Sequence, residues 1–257
     1  MDDNTSRARK LASIRALYKY LLGKNLIKNN PAAAFPSPKI TVQPITFLSD
    51  DEISLLLDVI TTGAGLTERQ QVFSDRYRTR DMALVYLMLS TGIRISECVG
   101  IDIDDIDWEE NSVYLERKGR KFQNVYFDKK CAELLSAYMD EREDMDLDEP
   151  TTALFISRNG TRITPRSVQR MVKKYASVAV KNKHITPHKL RSTYATGIYN
   201  STGDIYLAQN ALGHKSVNTT ARYANVSDEK RREASTAAEN WLSNVTNGMI
   251  KNKNLQQ

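Results

Sequence analysis

One short stretch of this chain has the pattern of β-strands, and helical patterns lie on both sides of it. Residues 112–127 hold Val113-Tyr114-Leu115 and Asn124-Val125-Tyr126-Phe127, two runs rich in β-branched and aromatic residues around a basic turn that contains Gly119. Two such runs predict a β-hairpin. Because the other periodic segments repeat their apolar residues every three or four positions, the predicted fold class is mainly α with a small antiparallel β-sheet.

Helix-capping signals organise the chain before the hairpin. Apolar residues at spacings of three and four predict a first helix over residues 6–28, which Asn29-Asn30-Pro31 ends. The sequence Ser49-Asp50-Asp51-Glu52 is a capping box and predicts the start of a second helix. Residues 63–75 are polar and are predicted to form a loop.

Glycine and proline mark the elements that follow. A strongly apolar helix is predicted near residues 80–90, and Thr91-Gly92 separates it from a short helix that carries Arg94. Every element after the hairpin is predicted to be helical. Two of these helices begin with an N-cap threonine followed by a proline, at Thr164-Pro165 and Thr186-Pro187. Two short helices are predicted near 204–211 and 216–224, and an amphipathic helix near 228–246.

The distribution of charge indicates an acidic partner. The formal net charge is +6, and residues 1–46 carry eight Lys or Arg against two acids, which accounts for the whole excess. Residues 150–203 hold ten basic residues and no acid. A carboxylate would repel phosphate groups, so this stretch favours a surface that faces nucleic acid over an ordinary solvated face. The acidic run at 140–149 is predicted to be a helix end and loop turned away from that surface.

The composition excludes several classes of protein. It is 40% hydrophobic and 26% charged, as in ordinary globular proteins. No apolar run approaches the roughly 18 residues of a membrane span, and Met1-Asp2-Asp3-Asn4 does not resemble a signal peptide. Cys98 and Cys131 form no metal-binding pattern and are predicted to be small apolar residues in a reducing cytosol. A cytoplasmic protein with no membrane partner is therefore expected.

Arginine and histidine residues are spaced to bind a phosphate group. His188 and Arg191 are three residues apart just after a predicted helix start, so they share one face near a positive helix end. Arg94 follows a glycine at the start of a short helix. A guanidinium fork binds two phosphate oxygens at once. Two such forks with an imidazole suit phosphodiester chemistry that needs no metal.

Four motifs, in this order, resemble a known family. They are Thr91-Gly92-Ile93-Arg94-Ile95-Ser96-Glu97, His188-Lys189-Leu190-Arg191, Leu212-Gly213-His214 and Thr220-Ala221-Arg222-Tyr223. On these motifs the chain resembles the tyrosine recombinases of the phage-integrase and Xer type, over about residues 6–226. The resemblance implies the catalytic-domain fold of DNA breaking-rejoining enzymes. It also implies a site-specific recombinase that cleaves and rejoins duplex DNA through a 3′-phosphotyrosyl intermediate, in integration, excision or Xer-like resolution.

The same resemblance assigns roles to individual residues. The expected catalytic residues are Arg94, Lys118, His188, Arg191, His214 and Tyr223. Tyr223 would be the nucleophile and Lys118 the acid that protonates the leaving 5′-oxygen, while the arginines and histidines would hold the phosphate or help to move the tyrosine proton. Arg120 and Lys121 are near enough to Lys118 to be confused with it. Glu97 is expected either to orient a catalytic side chain or to be an ordinary surface glutamate.

Double-stranded DNA is the expected partner, and further DNA contacts are expected from basic residues around these motifs: Arg117, Arg120, Lys121, Arg162, Arg166 and Lys189. No carboxylate cluster with metal-binding spacing and no glycine-rich phosphate loop is present in the sequence, so no metal, ATP or other cofactor is expected. The resemblance further implies a homotetramer assembled on DNA and allows accessory DNA-bending proteins. Two alternatives stay open, a type IB topoisomerase-like nicking-closing enzyme and a non-catalytic DNA-binding protein on the same fold.

Three segments are expected. Residues 1–40 resemble only the last long helix of the family's N-terminal core-binding domain, with a linker, so a shortened domain is expected there. Residues 41–226 are the expected catalytic domain. Residues 227–257 are an expected C-terminal helix and tail, which would dock either on a neighbouring protomer or on its own domain.

Overall fold

A computed structural model of the chain describes residues 4–39, 45–117, 121–145 and 149–213, with backbone alone at Arg117 and Lys121. The chain divides into two compact units, Met1–Pro44 and Ile45–Gln257. The helices predicted at 216–224 and 228–246 lie outside the described residues.

The first unit is a single long helix followed by a returning segment. The helix, α1, spans Asn4–Gly23 and buries none of its side chains. It ends five residues before the predicted end at residue 28, and Asn25 then adopts a left-handed conformation with φ of 58°. The Arg15 guanidinium donates to the Ala32 carbonyl at 3.2 Å and to Ser37 Oγ at 2.8 Å, so one side chain ties the returning segment to the helix.

The second unit begins with two capped helices, α2 at Asp50–Thr62 and α3 at Glu68–Thr91. The predicted capping box is confirmed, because the Ser49 N–H donates to Glu52 Oε2 at 2.8 Å and the Glu52 N–H donates to Ser49 Oγ at 3.3 Å. The prediction of a loop over residues 63–75 is wrong after Thr67. Thr67 and Gln70 form a second capping box, which starts α3 twelve residues before the predicted position near 80.

The predicted hairpin is confirmed. After α4 (Ile95–Gly100), β1 (Ile106–Asp107), β2 (Ser112–Arg117) and β3 (Lys121–Tyr126) form an antiparallel sheet in the order β1-β2-β3. The register pairs Arg117 with Lys121, and the predicted tip residues 118–120 lie outside the described residues. Side chains alternate between the core and solvent, as a half-buried sheet requires: Val113, Leu115 and Val125 are buried, and Tyr114, Phe122 and Tyr126 are exposed.

Four further helices follow, α5 at Lys129–Glu143, α6 at Pro165–Ala179, α7 at Pro187–Thr202 and α8 at Ile205–Leu212. The predicted starts at Thr164-Pro165 and Thr186-Pro187 are confirmed. The prediction that everything after the hairpin is helical is wrong for residues 151–163. That segment is an irregular stretch with a turn near Asn159-Gly160, and it is held by two isolated β-bridges, Asp102 with Ala153 and Ile156 with Arg162.

The second half of α3 is the centre of the core. Helices α2, α5 and α7 all pack against α3, and α6 packs against α2. Ala83, Leu84, Leu87 and Met88 are at most 1% exposed, so this half is buried on most of its surface. The core therefore fixes the C-terminal end of α3, where Thr91-Gly92 and Arg94 follow. The structure thus confirms a mainly α fold with a small antiparallel sheet.

Both cysteines lie in this core, as predicted for small apolar residues. Burial raises the pKa of the Cys131 thiol to about 12 and raises the pKa of Cys98 further, so both thiols are neutral at physiological pH. Among the described residues, no helix is long and apolar enough to span a membrane.

Candidate active site

Three of the six predicted catalytic residues lie in the described part of the chain. Arg94 is the N-cap residue of α4, one position before the helix that was predicted to carry it. His188 and Arg191 lie in the first turns of α7. The other three predicted catalytic residues and one predicted DNA contact lie outside the described residues: Lys118, His214, Tyr223 and Arg120.

The Arg191 guanidinium joins the ends of two helices. It donates from Nη1 to the Gly92 carbonyl at the C-cap of α3, and from Nη2 to the Leu212 carbonyl, 2.6 Å away, at the last residue of α8. The last carbonyls of a helix have no partner within the helix and carry partial negative charge. A buried cation between two such ends is stabilised by both, and Arg191 is only 3% exposed. Leu212 begins the Leu-Gly-His motif, so Arg191 fixes the start of that motif to α7.

Gly92 occupies a position that only glycine fills without strain. Its φ is 61°, and its N–H donates to the Met88 carbonyl at 3.1 Å, which closes α3 with a left-handed cap. A Cβ added there would lie 3.0 Å from Cε1 and Cγ of the Tyr194 ring and closer still to Cδ1. The glycine therefore lets α7 approach the end of α3 closely enough for Arg191 to reach the Gly92 carbonyl.

Glu97 holds Arg94 at two points. Its Oε1 accepts from Arg94 Nη1 at 2.7 Å, and its Oε2 accepts from the Arg94 backbone N–H at 2.8 Å. The Glu97 side chain is 7% exposed and that of Arg94 is 37% exposed. A buried carboxylate thus restrains a guanidinium whose outer part reaches solvent. This geometry supports the prediction that Glu97 orients a catalytic side chain, although its role in catalysis stays a prediction.

Hydrogen bonds from Ser192 and Thr193 hold the first turn of α7, and His188 in that turn is exposed. The Thr193 hydroxyl donates to the Lys189 carbonyl at 2.9 Å and accepts from the Leu48 N–H, also at 2.9 Å. Ser192 Oγ donates to the His188 carbonyl at 3.0 Å. The imidazole of His188 is exposed on the same side of the helix as Arg191, at the positive N-terminal end of α7.

Three predicted DNA contacts have different surroundings. Arg162 donates to the carbonyls of Val99 and Ile101, at 3.1 and 3.0 Å, and to the Asp102 carboxylate, so its guanidinium supports the C-terminal end of α4. Arg166 is exposed in the first turn of α6, and Lys189 is half-buried. All three remain predictions as DNA contacts, and Arg162 has an internal structural role as well.

The Arg162 contact also affects the titration of Asp102. The hydrogen bond from Arg162 and one from the Thr152 hydroxyl, at 2.8 Å, lower the pKa of the Asp102 carboxyl below its ordinary value. Within the described residues, no group of three or more His, Cys, Asp or Glu side chains is arranged to hold a metal ion.

Comparison with known proteins shows the family of the chain. Residues 46–230 match the model of the phage integrase family. The tyrosine recombinase XerC of Syntrophus aciditrophicus (strain SB) is 35% identical over 225 residues, which is 86% of this chain and 69% of that protein. The XerC of Bacillus subtilis (strain 168) is 32% identical over 230 residues, 88% of this chain and 71% of that protein.

A solved structure of XerA recombinase has a TM-score of 0.63 and 27% identity, and the match covers 91% of this chain and 77% of that one. The family match spans well over half of the chain and includes every predicted catalytic residue. The chain therefore belongs to the phage integrase family and is a tyrosine site-specific recombinase.

Proposed function

We propose that this recombinase cuts and rejoins double-stranded DNA, with Tyr223 as the nucleophile. The observation that carries the proposal is the position of Arg191, which is buried between the ends of α3 and α8. Its guanidinium binds the carbonyl of Gly92, two residues before Arg94, and the carbonyl of Leu212, which begins the Leu-Gly-His motif. These contacts tie α7 to Gly92 and Leu212, which lie two residues before Arg94 and His214, and so support a site that draws its phosphate ligands from three separate parts of the sequence.

The proposed reaction is a reversible transesterification. The Tyr223 phenolate oxygen attacks the phosphorus, the bond from phosphorus to the 5′-oxygen breaks, and Lys118 gives that oxygen a proton. The products are a 3′-phosphotyrosyl bond and a free 5′-hydroxyl, and rejoining runs the same steps backward with a 5′-hydroxyl as the nucleophile. Because the phosphodiester energy is kept in the covalent bond, rejoining requires no ATP.

The cationic side chains have separate tasks in this scheme. Arg94, Arg191 and His214 hold the non-bridging oxygens while negative charge builds on them. His188 assists removal of the Tyr223 proton, because an unperturbed tyrosine has a pKa of about 10 and stays protonated at neutral pH. Fixed cations supply the charge that a metal ion supplies in other phosphoryl-transfer enzymes, so we expect cleavage to continue in EDTA.

We further propose that four copies assemble on two DNA sites, as the family resemblance implies, and that accessory DNA-bending proteins can join the assembly. A XerH site-specific recombinase with the same fold, at a TM-score of 0.74 and 21% identity, was solved bound to a palindromic difH substrate in a post-cleavage complex. That complex supports DNA as the partner of this fold. The cytoplasm, where chromosomal DNA lies in bacteria, is the proposed location.

The test is trapping of a protein–DNA adduct, followed by strand exchange. End-labelled fragments with a nick near the cleavage site are incubated with the protein in EDTA, and label that stays with the protein in SDS is measured. We expect an adduct with the wild type and none with Tyr223→Phe. Tyr206→Phe is the matched control, because Tyr206 is 64% exposed and lies outside the predicted motifs, so it should form the adduct normally.

A second arm distinguishes recombination from simple nicking and closing. Two duplexes of different length, each with one site, are mixed with the protein, and hybrid products are measured. Hybrids support a recombinase, whereas relaxation of supercoiled DNA without hybrids would support the topoisomerase-like alternative. A protein that binds DNA but forms no adduct would contradict the proposed chemistry.

A further inference from the structure

A groove between the first half of α3 and helix α6 has an unusual excess of positive charge. Its volume is about 570 Å³, within the range of typical ligand sites. Arg69 on α3, Arg158 in the turn before Arg162 and Arg170 on α6 line its rim, and all three are exposed. Among the described residues, no carboxylate lies within salt-bridge distance of any of these three arginines.

The floor of the groove holds two more cations and one carboxylate. Asp81 is 2% exposed, and its Oδ1 accepts from Arg80 Nη2 at 2.6 Å. Its Oδ2 accepts from the Tyr175 hydroxyl at 2.8 Å and lies 3.8 Å from Lys174 Nζ. One carboxylate therefore faces two cations in a region largely shielded from water. With the rim arginines, five cations line the groove against a single acid.

Aromatic side chains form part of the same groove. Phe73 is 42% exposed on its wall, and the Tyr77 ring lies 4.4 Å from the Arg80 guanidinium. The Tyr77 ring stacks on Arg80 and so holds a cation at the floor in a fixed position. The groove thus combines exposed arginines with an apolar wall, which suits a phosphate group attached to a sugar better than a fully hydrated inorganic ion.

The groove lies away from the candidate active site. Arg80 and Gly92 are twelve residues apart on α3, and the helical rise of 1.5 Å per residue puts them roughly 18 Å apart along the axis. A duplex strand advances about 3.4 Å per nucleotide, so this distance corresponds to about five base pairs. Arg158, Arg170 and Lys174 belong to the acid-free stretch of residues 150–203, which suits a surface that faces a polyanion.

We propose that this groove is a second phosphate-binding site, which takes the backbone of duplex DNA at a distance from the cleaved bond. This assignment rests on the proposed function, because it takes DNA as the substrate. The rim arginines neutralise backbone phosphates, while the floor cations stay paired with Asp81, and Arg80 also donates from Nη1 to the Ile156 carbonyl at 2.9 Å. Binding there would anchor the duplex independently of the residues that perform cleavage.

The test measures how affinity for DNA depends on salt. The full chain and the variant R69Q/R158Q/R170Q are titrated with a mixed-sequence duplex of 40 base pairs between 50 and 200 mM NaCl. Each phosphate contact contributes about 0.9 to the slope of log K against log salt, so three lost contacts lower the slope by about 2.7. Over this fourfold range, the wild type should lose about 40-fold more affinity than the triple variant.

Lys129→Gln is the matched control, since Lys129 is an exposed cation on α5 outside the groove. It should leave the slope almost unchanged. The rim arginines are exposed, so the triple variant should keep the wild-type unfolding midpoint, which thermal unfolding checks. Equal slopes for the wild type and the folded triple variant would overturn the proposal.

A small-anion arm separates the two sources of phosphate. In this arm, binding of ATP to the wild type and to the triple variant is measured separately from DNA binding. The DNA assignment is overturned if ATP binds only the wild type, at micromolar concentration, while the two proteins have equal salt slopes for DNA. The groove would then take free nucleotides. The slope is measured without cleavage. Failure to form a covalent adduct would therefore contradict the proposed function without changing the result for the groove.

Discussion

Replacing Gly92 by alanine tests whether close packing at the end of α3 positions Arg191. Two costs add in this variant. A non-glycine residue at φ of 61° costs roughly 1–2 kcal/mol, and the new Cβ would lie 3.0 Å or less from three atoms of the Tyr194 ring, an overpacking that costs about 1–3 kcal/mol. The total expected destabilisation is about 2–5 kcal/mol.

Gly203 provides the matched control for this experiment. It also ends a helix with a left-handed cap, at φ of 69°, but no atom lies within 4 Å of its added Cβ. Gly203→Ala therefore carries the backbone cost alone. At roughly 2–4 °C per kcal/mol, thermal unfolding should show a midpoint lower by roughly 2–12 °C in Gly92→Ala than in Gly203→Ala.

The same pair of variants should differ in cleavage. Gly92 supplies a carbonyl that holds Arg191, and Tyr194 lies three residues after Arg191 on α7, so displacing the ring shifts the guanidinium. We expect Gly92→Ala to slow adduct formation by at least about tenfold, since small shifts of positioning groups have large kinetic effects. Tyr194→Ala in the Gly92→Ala background should recover part of the stability. Equal midpoints for the two alanine variants would refute the packing argument.

Three further predictions follow from other contacts. Asp81→Asn leaves Arg80 and Lys174 without their carboxylate, so urea unfolding should show a loss of about 3–5 kcal/mol in the free energy of unfolding. The control Asp75→Asn breaks the exposed pair with Arg78 and should cost less than about 1 kcal/mol. Glu97→Ala releases Arg94 and should slow adduct formation by about 10–100-fold, and an unchanged rate would show that Glu97 has no positioning role. Hydrogen bonds from Arg162 and, to a smaller extent, Thr152 hold the pKa of the Asp102 carboxyl below its ordinary value of 3.8. The ionised carboxylate therefore stabilises the fold above pH 3.8, and this contribution disappears as the pH falls through the lowered pKa. The loss of stability in Asp102→Asn should therefore be full at neutral pH and shrink below about pH 4, whereas a constant loss down to pH 2 would contradict this account.

Local signals in the sequence were sufficient for much of the fold. Proline and capping residues fixed the starts of α2, α6 and α7, because these positions depend on neighbouring residues alone. Thr67 and Gln70 carry the same kind of signal, and it was missed because the residues that follow are polar. The segment at 151–163 was harder to predict, because one of its bridges pairs Ala153 with Asp102, far away in the sequence. Its second bridge, between Ile156 and Arg162, closes a turn at Asn159-Gly160, and that local turn signal was missed.

The candidate site was only partly predictable for a similar reason. Motif spacing identified Arg94, His188 and Arg191, but no sequence pattern shows that a guanidinium binds backbone carbonyls of Gly92 and Leu212. A backbone carbonyl is present at every residue, so its use as a ligand depends on the fold alone. Gly92 was interpreted as a helix break, and its contact with Tyr194 became visible only when α3 and α7 were placed together. Arg162 is predicted to contact DNA, and its carbonyl partners, which no sequence pattern indicates, give it a structural role as well.

The most direct measurement is identification of the amino acid that becomes joined to DNA. The adduct is trapped in EDTA, the DNA is digested to a short nucleotide, and the protein is cleaved and examined by mass spectrometry. The account predicts that the added nucleotide mass lies on the peptide that contains Tyr223, through a phosphotyrosyl bond to a 3′-phosphate. A nucleotide on any other tyrosine of the twelve in the chain, or on a serine, would contradict it.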